Sequence, residues 1–444
     1  MIRLSVCLIA LAMFAGPMSA MASTTDVEAQ LRAMEARLNQ LEDKLESAND
    51  QLTAANSRLE TQQVVIDRVQ TDVEASSGLA SFLDTLEIGG WVSASYTYNF
   101  EDIDGVNLAG ANSGMVAANP FKADSNSFSF DQLWFELERP VSEENRAGFR
   151  ADIVYGKTAG LLSGLTGGDG FSGNDLEVYQ AYVQYLAPLG NGVTFKAGKF
   201  ATLIGAEVVQ APYNFNITRG QVYNLFQPIT HTGVLASTDA GPVGITLGLV
   251  NGTRNFPAAD IDVNKDKAIL FSLSGDVSEA VSVSLAGTYG AAQEAGGGTR
   301  AGDKETILDL IVGFNPSESF EAYLNADYIK TEDSVAGDVD GFGIAVAGRY
   351  AVTERTGIAG RFEYVDLERD GIGMSPDVPL QLFTVTGTVD HKLANNLTVR
   401  GELRWDSIDD GGNGPGADNL FIDESGNFTQ DDQLVGGVEV IYNF

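Results

Sequence analysis

The stretch Leu86–Phe100, LEIGGWVSASYTYNF, decides the fold because apolar and polar residues alternate along it. Val92 and Tyr96 occupy one side of the alternation, and Ser93 and Ser95 occupy the other. Successive side chains of a β-strand point to opposite faces, so this pattern predicts a strand with one apolar and one polar face. An apolar outer face and a polar inner face are typical of a barrel that spans a bilayer around water.

The same alternation continues toward the C-terminus, and we count sixteen such segments between residues 86 and 444. Residues 147–155, 320–328 and 397–405 are clear examples. The predicted fold class is therefore an all-β membrane protein, an antiparallel transmembrane β-barrel of about sixteen strands that occupies residues 86–444.

The links between the segments separate a membrane barrel from a soluble β-protein. Links after even-numbered strands are short, namely 140–145, 187–192, 239–242, 276–280, 315–318, 351–354 and 390–395. Links after odd-numbered strands are mostly long, namely 101–126, 157–174, 201–229, 251–267, 290–303, 331–339, 367–378 and 407–432. Short turns at one rim and long loops at the other indicate an outer-membrane barrel. A soluble sandwich has no reason to segregate its links in this way.

The N-terminus, residues 1–22, is interpreted as a signal peptide. Arg3 precedes an apolar run over residues 4–14, and small residues follow at 20–22. The run is too short to span a bilayer. It contains Cys7, and no other cysteine occurs in the chain, so disulfides, thiol catalysis and cysteine-bound metals are excluded from the exported protein.

Residues 23–77 carry a heptad repeat that predicts a coiled coil ahead of the barrel. One core position is leucine in five successive repeats, at Leu31, Leu38, Leu45, Leu52 and Leu59. No Gly or Pro interrupts residues 24–77, and Gly78 is expected to end the helix before a linker at 78–85. A single helix cannot cover its own apolar stripe, so we expect a homo-oligomer, but the mixed residues at the second core position do not fix the number of subunits. The alternative is one amphipathic helix lying on the barrel or on a membrane, for which its acidic charge is poorly suited.

The formal net charge of −34 argues against a nucleic-acid partner. Basic and acidic residues at inward positions are nearly balanced, and Asp309 and Asp327 are among the inward acids. The acidic excess therefore belongs to the coiled coil, the turns and the outer loops. The last outer loop holds the carboxylates of Asp409, Asp410, Asp418, Asp423, Glu424, Asp431 and Asp432.

Carboxylates of this kind suit Ca²⁺ or Mg²⁺, which could bridge the outer loops to lipopolysaccharide, although solvated charge is the simpler interpretation. The run 260–271 begins like a calcium-binding loop, but Lys265 and Phe271 stand where Gly and Glu are needed. No ordered metal site and no cofactor are predicted.

Charged side chains on the inner wall and in an inward loop are the candidate pore and selectivity residues, because rings of charge filter ions. They are Arg150, Lys196, Arg219, Arg361, Arg400, Arg404, Glu207, Asp152, Glu363 and Glu402. The alternative for the arginines is structural pairing with neighbouring acids such as Asp152, Glu363 and Glu402. The loop 201–229, which contains Glu207 and Arg219, is the candidate constriction loop, and an outward surface loop is its alternative.

A family resemblance adds to these patterns. Residues 181–233 resemble the OmpL-like β-barrel porins. The shared features are a Leu-Ala-Pro turn, a Lys-x-Gly-Lys-Phe strand and a long loop that ends in His-Thr-Gly. The stretch reads AYVQYLAPLGNGVTFKAGKFATLIGAEVVQAPYNFNITRGQVYNLFQPITHTG. The coiled coil is similar to that of coiled-coil-bearing trimeric porins of the dicarboxylate type, and this resemblance implies that the homo-oligomer is a trimer. The last strand ends at Tyr442 and Phe444, which resembles the C-terminal signal for outer-membrane assembly.

The function predicted from these observations is an outer-membrane porin, a water-filled channel for small hydrophilic solutes or ions. Its expected partners are further copies of itself, outer-membrane lipids and lipopolysaccharide, with the coiled coil in the periplasm. The alternative is a structural tether that links the outer membrane to the cell wall through the coiled coil. An enzyme is not expected, because the only histidines, His231 and His391, are not marked for catalysis by their surroundings.

Overall fold

The computed structural model describes residues 24–100, 119–122, 126–166, 176–254, 266–291, 303–332, 338–369, 378–409, 421–422 and 428–444. The described chain forms two compact units, an N-terminal helix and a barrel that begins at Thr85. The predicted signal peptide lies outside the described residues. No helix in the described part is long and apolar enough to cross a bilayer.

The first unit is one helix, α1 (Thr24–Leu83), of 60 residues. At 1.5 Å per residue it is about 90 Å long. The leucines of the heptad seam, from Leu31 to Leu59, are exposed along it. The helix passes through Gly78, so the predicted stop at that residue is wrong. One glycine costs a helix only about 1 kcal/mol, and the Leu79–Leu83 segment that follows contains strong helix formers.

The second unit is a closed barrel of sixteen antiparallel strands, which confirms the predicted fold class. Fifteen strands follow one another along the chain: β1 (Glu87–Asn99), β2 (Ser127–Arg139), β3 (Ala147–Tyr155), β4 (Leu176–Ala187), β5 (Val193–Ala201), β6 (Thr230–Ala240), β7 (Val243–Val250), β8 (Ala268–Ser278), β9 (Val281–Ala291), β10 (Lys304–Ser317), β11 (Phe320–Glu332), β12 (Val339–Ala351), β13 (Thr356–Arg369), β14 (Val378–Ala394) and β15 (Leu397–Asp409). A separate two-stranded sheet, β16 (Phe421–Ile422) and β17 (Phe428–Gln430), precedes the closing strand β18 (Asp432–Asn443).

Alternation along the strands gives the barrel its two faces. In β1, Trp91, Ser93 and Ser95 are buried inside the barrel, while outward residues such as Phe128 on β2 are exposed. The structure also places the short links at one rim and the long links at the other. We call these the turn rim and the loop rim.

The barrel closes where β1 pairs with β18, and the C-terminal residue takes part. The Phe444 N–H donates to the Gly90 carbonyl at 2.9 Å, and the Gly90 N–H donates to the Phe444 carbonyl at 3.1 Å. The Phe444 ring lies 5.5 Å from the ring of Phe135. A Cβ at Gly90 would lie 2.7 Å from the Phe444 ring, so this glycine makes room for the terminal aromatic side chain.

Long links at the loop rim contain short helices. They are α2 (Lys157–Thr166), α3 (Gln221–Phe226) and the 3₁₀ turns Pro120–Lys122 and Ala211–Tyr213. None of these was predicted from the sequence.

Inward residues in the loop-rim half of the wall are frequently apolar rather than polar. Leu270, Ile307 and Val365 point inward and are fully buried. They belong to a hydrophobic cluster that includes Val222 and Phe226 of α3. The loop that carries α3 therefore packs inside the barrel on an apolar surface, which contributes roughly 25 cal/mol per Å² of apolar area removed from water.

Candidate functional site

The loop 202–229 lies in the lumen and narrows it. Its two ends meet, because the Thr202 N–H donates to the Ile229 carbonyl at 3.2 Å. Between these ends the chain extends across the barrel to inward side chains of β13, β14 and β15. We call residues 202–229 the lumenal loop.

Arg361 on β13 is the central attachment of the lumenal loop. Its guanidinium lies 2.5 Å from Glu207 of the loop and 3.1 Å from Glu363 of its own strand. It also donates to the Thr218 carbonyl at 2.7 Å. None of the Arg361 side chain is exposed. One buried cation therefore joins two buried carboxylates from the loop and the wall.

Arg400 and Arg404 on β15 attach the loop through its backbone. Arg400 donates to the carbonyls of Ala211 at 2.6 Å and Asn214 at 2.8 Å. Arg404 donates to the Arg219 carbonyl at 2.6 Å. Their carboxylate partners are Glu439, 3.1 Å from Arg400, and Asp406, 2.7 Å from Arg404.

Two wall carboxylates accept hydrogen bonds from backbone N–H groups of the loop. Glu402 accepts from Ile217 at 2.5 Å and Thr218 at 3.0 Å, and Glu363 accepts from Val222 at 3.1 Å. A Cβ at Gly220 would lie 2.0 Å from the Glu363 carboxylate. A larger residue at this position would therefore displace the Glu363 carboxylate from its contacts with the loop.

Arg219 braces the loop from within. Its guanidinium donates to the carbonyls of Ile217, Val208 and Val209 at 2.6 to 2.8 Å, and it lies 5.5 Å from the Phe121 ring. Desolvation by burial lowers the pKa of the Arg219 guanidinium and raises the pKa of the nearby Tyr223 phenol. These contacts fix the shape of the loop rather than offer a charge to the lumen.

Only two of the basic candidates face lumenal solvent. The Arg150 side chain is 22% exposed, whereas Arg361 and Arg404 are fully buried and Arg400 is nearly so. Lys196 on β5 is partly exposed. The basic candidates therefore fall into two groups. Arg361, Arg400 and Arg404 hold the lumenal loop, and we call them the loop anchors; Arg150 and Lys196 line the solvent-accessible wall. Sequence spacing does not reveal this division.

Arg150 is the centre of an acidic cluster on β2 and β3. It lies 3.0 Å from Glu136, 2.9 Å from Glu138 and 2.8 Å from Asp152. The pairing of Arg150 with Asp152 and of Arg361 with Glu363 matches the structural alternative considered from the sequence. Glu402 instead accepts loop hydrogen bonds, while Arg400 and Arg404 use the other acids named above. The cluster around Arg150 has one cation for three carboxylates.

Lys196 differs from the other lumenal cations in its surroundings. Its ammonium lies 4.2 Å from the centre of the Tyr182 ring, a cation–π contact. Among the described residues, no carboxylate lies within 4.0 Å of it, a distance that Arg150 and Arg361 both meet. Lys196 therefore presents a positive charge without a carboxylate partner on the inner wall.

The wall next to this charged region, from β6 to β9, is neutral and polar at its turn-rim end. Small hydroxyl side chains occupy solvent-accessible inward positions across β6 to β9: Ser237, Thr246, Ser272, Ser274, Ser282 and Ser284. Hydroxyl groups of this size hydrate readily, so the turn-rim half of the lumen has a hydrophilic wall.

The two histidines of the chain lie in different parts of the barrel. His231 is buried at the start of β6 near the loop rim, and its Nε2 lies 3.1 Å from the Thr202 hydroxyl. His391, predicted in a turn, is part of β14 near the turn rim, beside the Thr356 hydroxyl at 2.9 Å. The two histidines lie at opposite rims and form no common site.

Most of the carboxylates considered from the sequence as possible partners of Ca²⁺ or Mg²⁺ lie outside the described residues. Residues 260–265 of the calcium-loop-like run, and Asp410, Asp418, Asp423 and Glu424 of the last loop, lie outside the described residues. Within the described ranges, no three or more His, Cys, Asp or Glu side chains form a group that could hold a metal ion.

A closed sixteen-stranded barrel with a hydrophilic wall and an inward loop defines a porin-type barrel. The family described as "Putative beta-barrel porin-2, OmpL-like" matches residues 85–444, which is the whole barrel unit. The chain belongs to this family of β-barrel porins, as the sequence resemblance predicted.

Solved structures of outer-membrane proteins share the fold. OmpT of Vibrio cholerae, in-vitro folded and in trimer form, is 12% identical with a TM-score of 0.52, over 81% of this chain and 99% of that chain. The outer-membrane channel DcaP of Acinetobacter baumannii is 13% identical with a TM-score of 0.50, over 81% and 97%. An anion-selective porin from Comamonas acidovorans is 14% identical with a TM-score of 0.51, over 81% and 99%. No curated protein matches the chain. At these identities the structural likeness shows the fold alone.

Proposed function

We propose that the chain is a diffusion channel for small hydrophilic solutes and ions, and that the lumenal loop determines the width of its pore. The observation that carries this proposal is the pairing of a hydrophilic wall with a loop held across the lumen by buried ion pairs. A barrel of sixteen strands leaves an aqueous channel unless something fills it, and here the lumenal loop fills part of it. Family membership supports the same function and gives no support to a tether.

The buried arginines act in this proposal as loop anchors, and the ion preference comes from the partly exposed wall. There Arg150 is outnumbered by Glu136, Glu138 and Asp152, so the wall charge favours a weak preference for cations. Lys196 opposes this preference because it adds an unpaired positive charge nearby.

Replacing Lys196 with Gln is expected to move the reversal potential under a KCl gradient toward the potassium equilibrium potential. The substitution removes one positive charge from the wall and leaves its carboxylates in place. Reversal potential in planar bilayers measures the effect. The matched control is Lys392→Gln, which removes the same charge from an exposed residue at the turn rim and should leave the reversal potential near the wild-type value. Equal shifts in both variants would show that Lys196 does not contribute to ion preference.

The coiled coil is proposed to hold the barrels together as a homotrimer. The exposed leucine seam of α1 supports self-association, and a trimer form is known for OmpT of Vibrio cholerae. We place the turn rim, the helix and both ends of the barrel in the periplasm, as is usual for barrels with an even strand number. In this scheme the signal peptide 1–22 directs export, and Tyr442 and Phe444 direct assembly.

Leu38→Asp with Leu45→Asp is expected to break the oligomer while each barrel remains folded. Two charges at the seam cannot be desolvated between helices, so the coil should dissociate. Light scattering in detergent gives the oligomeric mass, and heat-modifiable migration reports barrel folding. Gln40→Asp with Ser47→Asp adds the same charge away from the seam and should stay oligomeric. An unchanged mass for the leucine variant would mean that the barrels associate without the coil.

A further inference from the structure

The lumenal loop exposes a single residue, and that residue is aromatic. Every other residue from 202 to 229 is buried or partly buried, whereas Tyr213 is 61% exposed. Its ring makes an edge contact with the ring of Trp91 on β1, with the ring centres 5.6 Å apart. The contact and the 3₁₀ turn Ala211–Tyr213 hold the ring at the surface of the loop. An aromatic ring that is exposed on an otherwise packed loop can stack on a solute in the lumen.

Tyr213 belongs to the charged part of the wall. Arg150 and Asp152 on β3 act electrostatically on Tyr213, and they also act on Tyr182 of β4. The exposed ring of the loop and the ring of the wall therefore share the same charged neighbours.

Opposite charges lie at the two ends of this stretch of wall. Glu138 of β2 is the register partner of Arg150 on β3, and Arg150 is the register partner of Tyr182 on β4. The Lys196 ammonium of β5 lies over the Tyr182 ring, and Glu138 acts on it electrostatically. Three strand spacings separate the backbones of β2 and β5, which is about 14 Å. The inward side chains shorten this gap, so one small solute can contact both ends.

The same groups carry one net negative charge. Glu136, Glu138 and Asp152 share the cation of Arg150 at 3.0, 2.9 and 2.8 Å. The side chains of Glu136 and Glu138 are 19% and 22% exposed, so both carboxylates reach lumenal water. Lys196 adds a second cation, which has no carboxylate within 4.0 Å among the described residues. Three carboxylates and two cations complement a solute that carries two cations and one carboxylate.

We propose that Tyr213 and the wall from β2 to β5 bind a basic amino acid of the arginine or lysine type. Its α-carboxylate pairs with Lys196, and its side-chain cation pairs with Glu136 and Glu138. The Tyr213 ring stacks on the same cation, because guanidinium and ammonium groups favour aromatic faces. The inference rests on the proposed channel function and names a class of solute for it. A short zwitterion such as glycine contacts only one end of the site.

Calorimetric titration of the full-length protein in detergent tests the site without requiring conduction. L-Arginine is expected to bind more tightly than agmatine, which lacks the carboxylate, and more tightly than glycine, which lacks the second cation. Lys196→Gln should weaken arginine binding roughly tenfold by removing one charge-assisted contact, and it should not weaken agmatine binding. Glu138→Gln should weaken the binding of both ligands. The control is Glu354→Gln, which removes the same charge from an exposed turn residue and should bind arginine as the wild type does.

Two substitutions at Tyr213 test the aromatic contact. Tyr213→Phe should retain arginine binding, whereas Tyr213→Leu should weaken it several-fold because leucine has no aromatic face. The ring is largely exposed, so both variants should fold, and heat-modifiable migration checks this. Equal arginine affinity in Tyr213→Leu and the wild type would overturn the role of the ring.

Planar-bilayer recording with added L-arginine gives a second readout. Arginine should block the KCl current of the wild type more strongly than that of Lys196→Gln. A channel that conducts KCl but does not bind arginine, or binds it equally well in Lys196→Gln, would overturn the site and leave the channel function intact. A protein that binds arginine with the expected dependence on Lys196 but conducts no current would support the site and contradict the channel.

Discussion

Removal of the lumenal loop is expected to raise the single-channel conductance at least roughly twofold, since a sixteen-stranded barrel without a filling loop is an open aqueous channel. The deletion is feasible because Thr202 and Ile229 are already hydrogen-bonded across the base of the loop at 3.2 Å. A short Gly-Ser link can therefore replace residues 203–228 without moving β5 or β6. Conductance in planar bilayers with symmetric KCl measures the effect.

The loop deletion also uncovers apolar inward residues of the strands on which α3 packs, such as Ile329 and Val365. We therefore expect a lower unfolding midpoint together with the higher conductance. A deletion of residues 333–337, which shortens the link between β11 and β12, controls for the loss of a link as such. If the conductance of the 203–228 deletion equals that of the wild type, the lumenal loop does not set the bore.

Arg361→Met is expected to release the lumenal loop and lower barrel stability. It leaves Glu207 and Glu363 buried without their cation, and removing one partner of a buried ion pair costs about 3–5 kcal/mol. Trypsin provides a direct readout, because Arg219 is the only Lys or Arg in the loop and is buried in the wild type. The variant should be cleaved after Arg219, and its unfolding midpoint should fall.

Two further variants separate the ion pair from general effects of losing an arginine. Arg361→Met combined with Glu207→Gln and Glu363→Gln removes the buried charges together and should recover much of the midpoint. Arg355→Met removes an exposed arginine at the turn rim and should leave the midpoint near the wild-type value, because surface substitutions usually change stability by less than about 0.5 kcal/mol. Trypsin resistance in Arg361→Met at an unchanged midpoint would contradict the anchoring role.

Strand number and register were predictable because the bilayer and the aqueous lumen impose opposite preferences on alternate residues. In β1 the register derived from Ser93 and Ser95 is the one found. Segregation of short and long links was equally visible, since each strand pair needs only a turn at one rim. The end of α1 was not, because a single glycine such as Gly78 weakens a helix without stopping it.

The alternation of apolar and polar residues predicted the strands, but it did not predict the apolar inner face of the barrel near the loop rim. In β8, inward Leu270 and outward Ile269 are both apolar, so alternation fails where the inner face meets the lumenal loop. A continuous apolar run at the loop-rim end of a strand is the signal that could have indicated a packed inner face.

Roles of the charged candidates depended on partners far away in the chain. Arg361 bonds to Glu207, which is 154 residues earlier, and Arg400 bonds to Ala211, which is 189 residues earlier. Sequence spacing identified which side chains point inward but not which of them a loop covers. Arg150 and Lys196 differ from the anchors only because the lumenal loop leaves them partly exposed.

Single-channel recording of the full-length protein in planar bilayers under symmetric KCl tests the central claim most directly. If the barrel is a water-filled channel narrowed by the lumenal loop, and the coiled coil joins three barrels, discrete conductance steps should occur in groups of three. A membrane that stays silent, with protein shown to be folded by its heat-modifiable migration, would contradict the account.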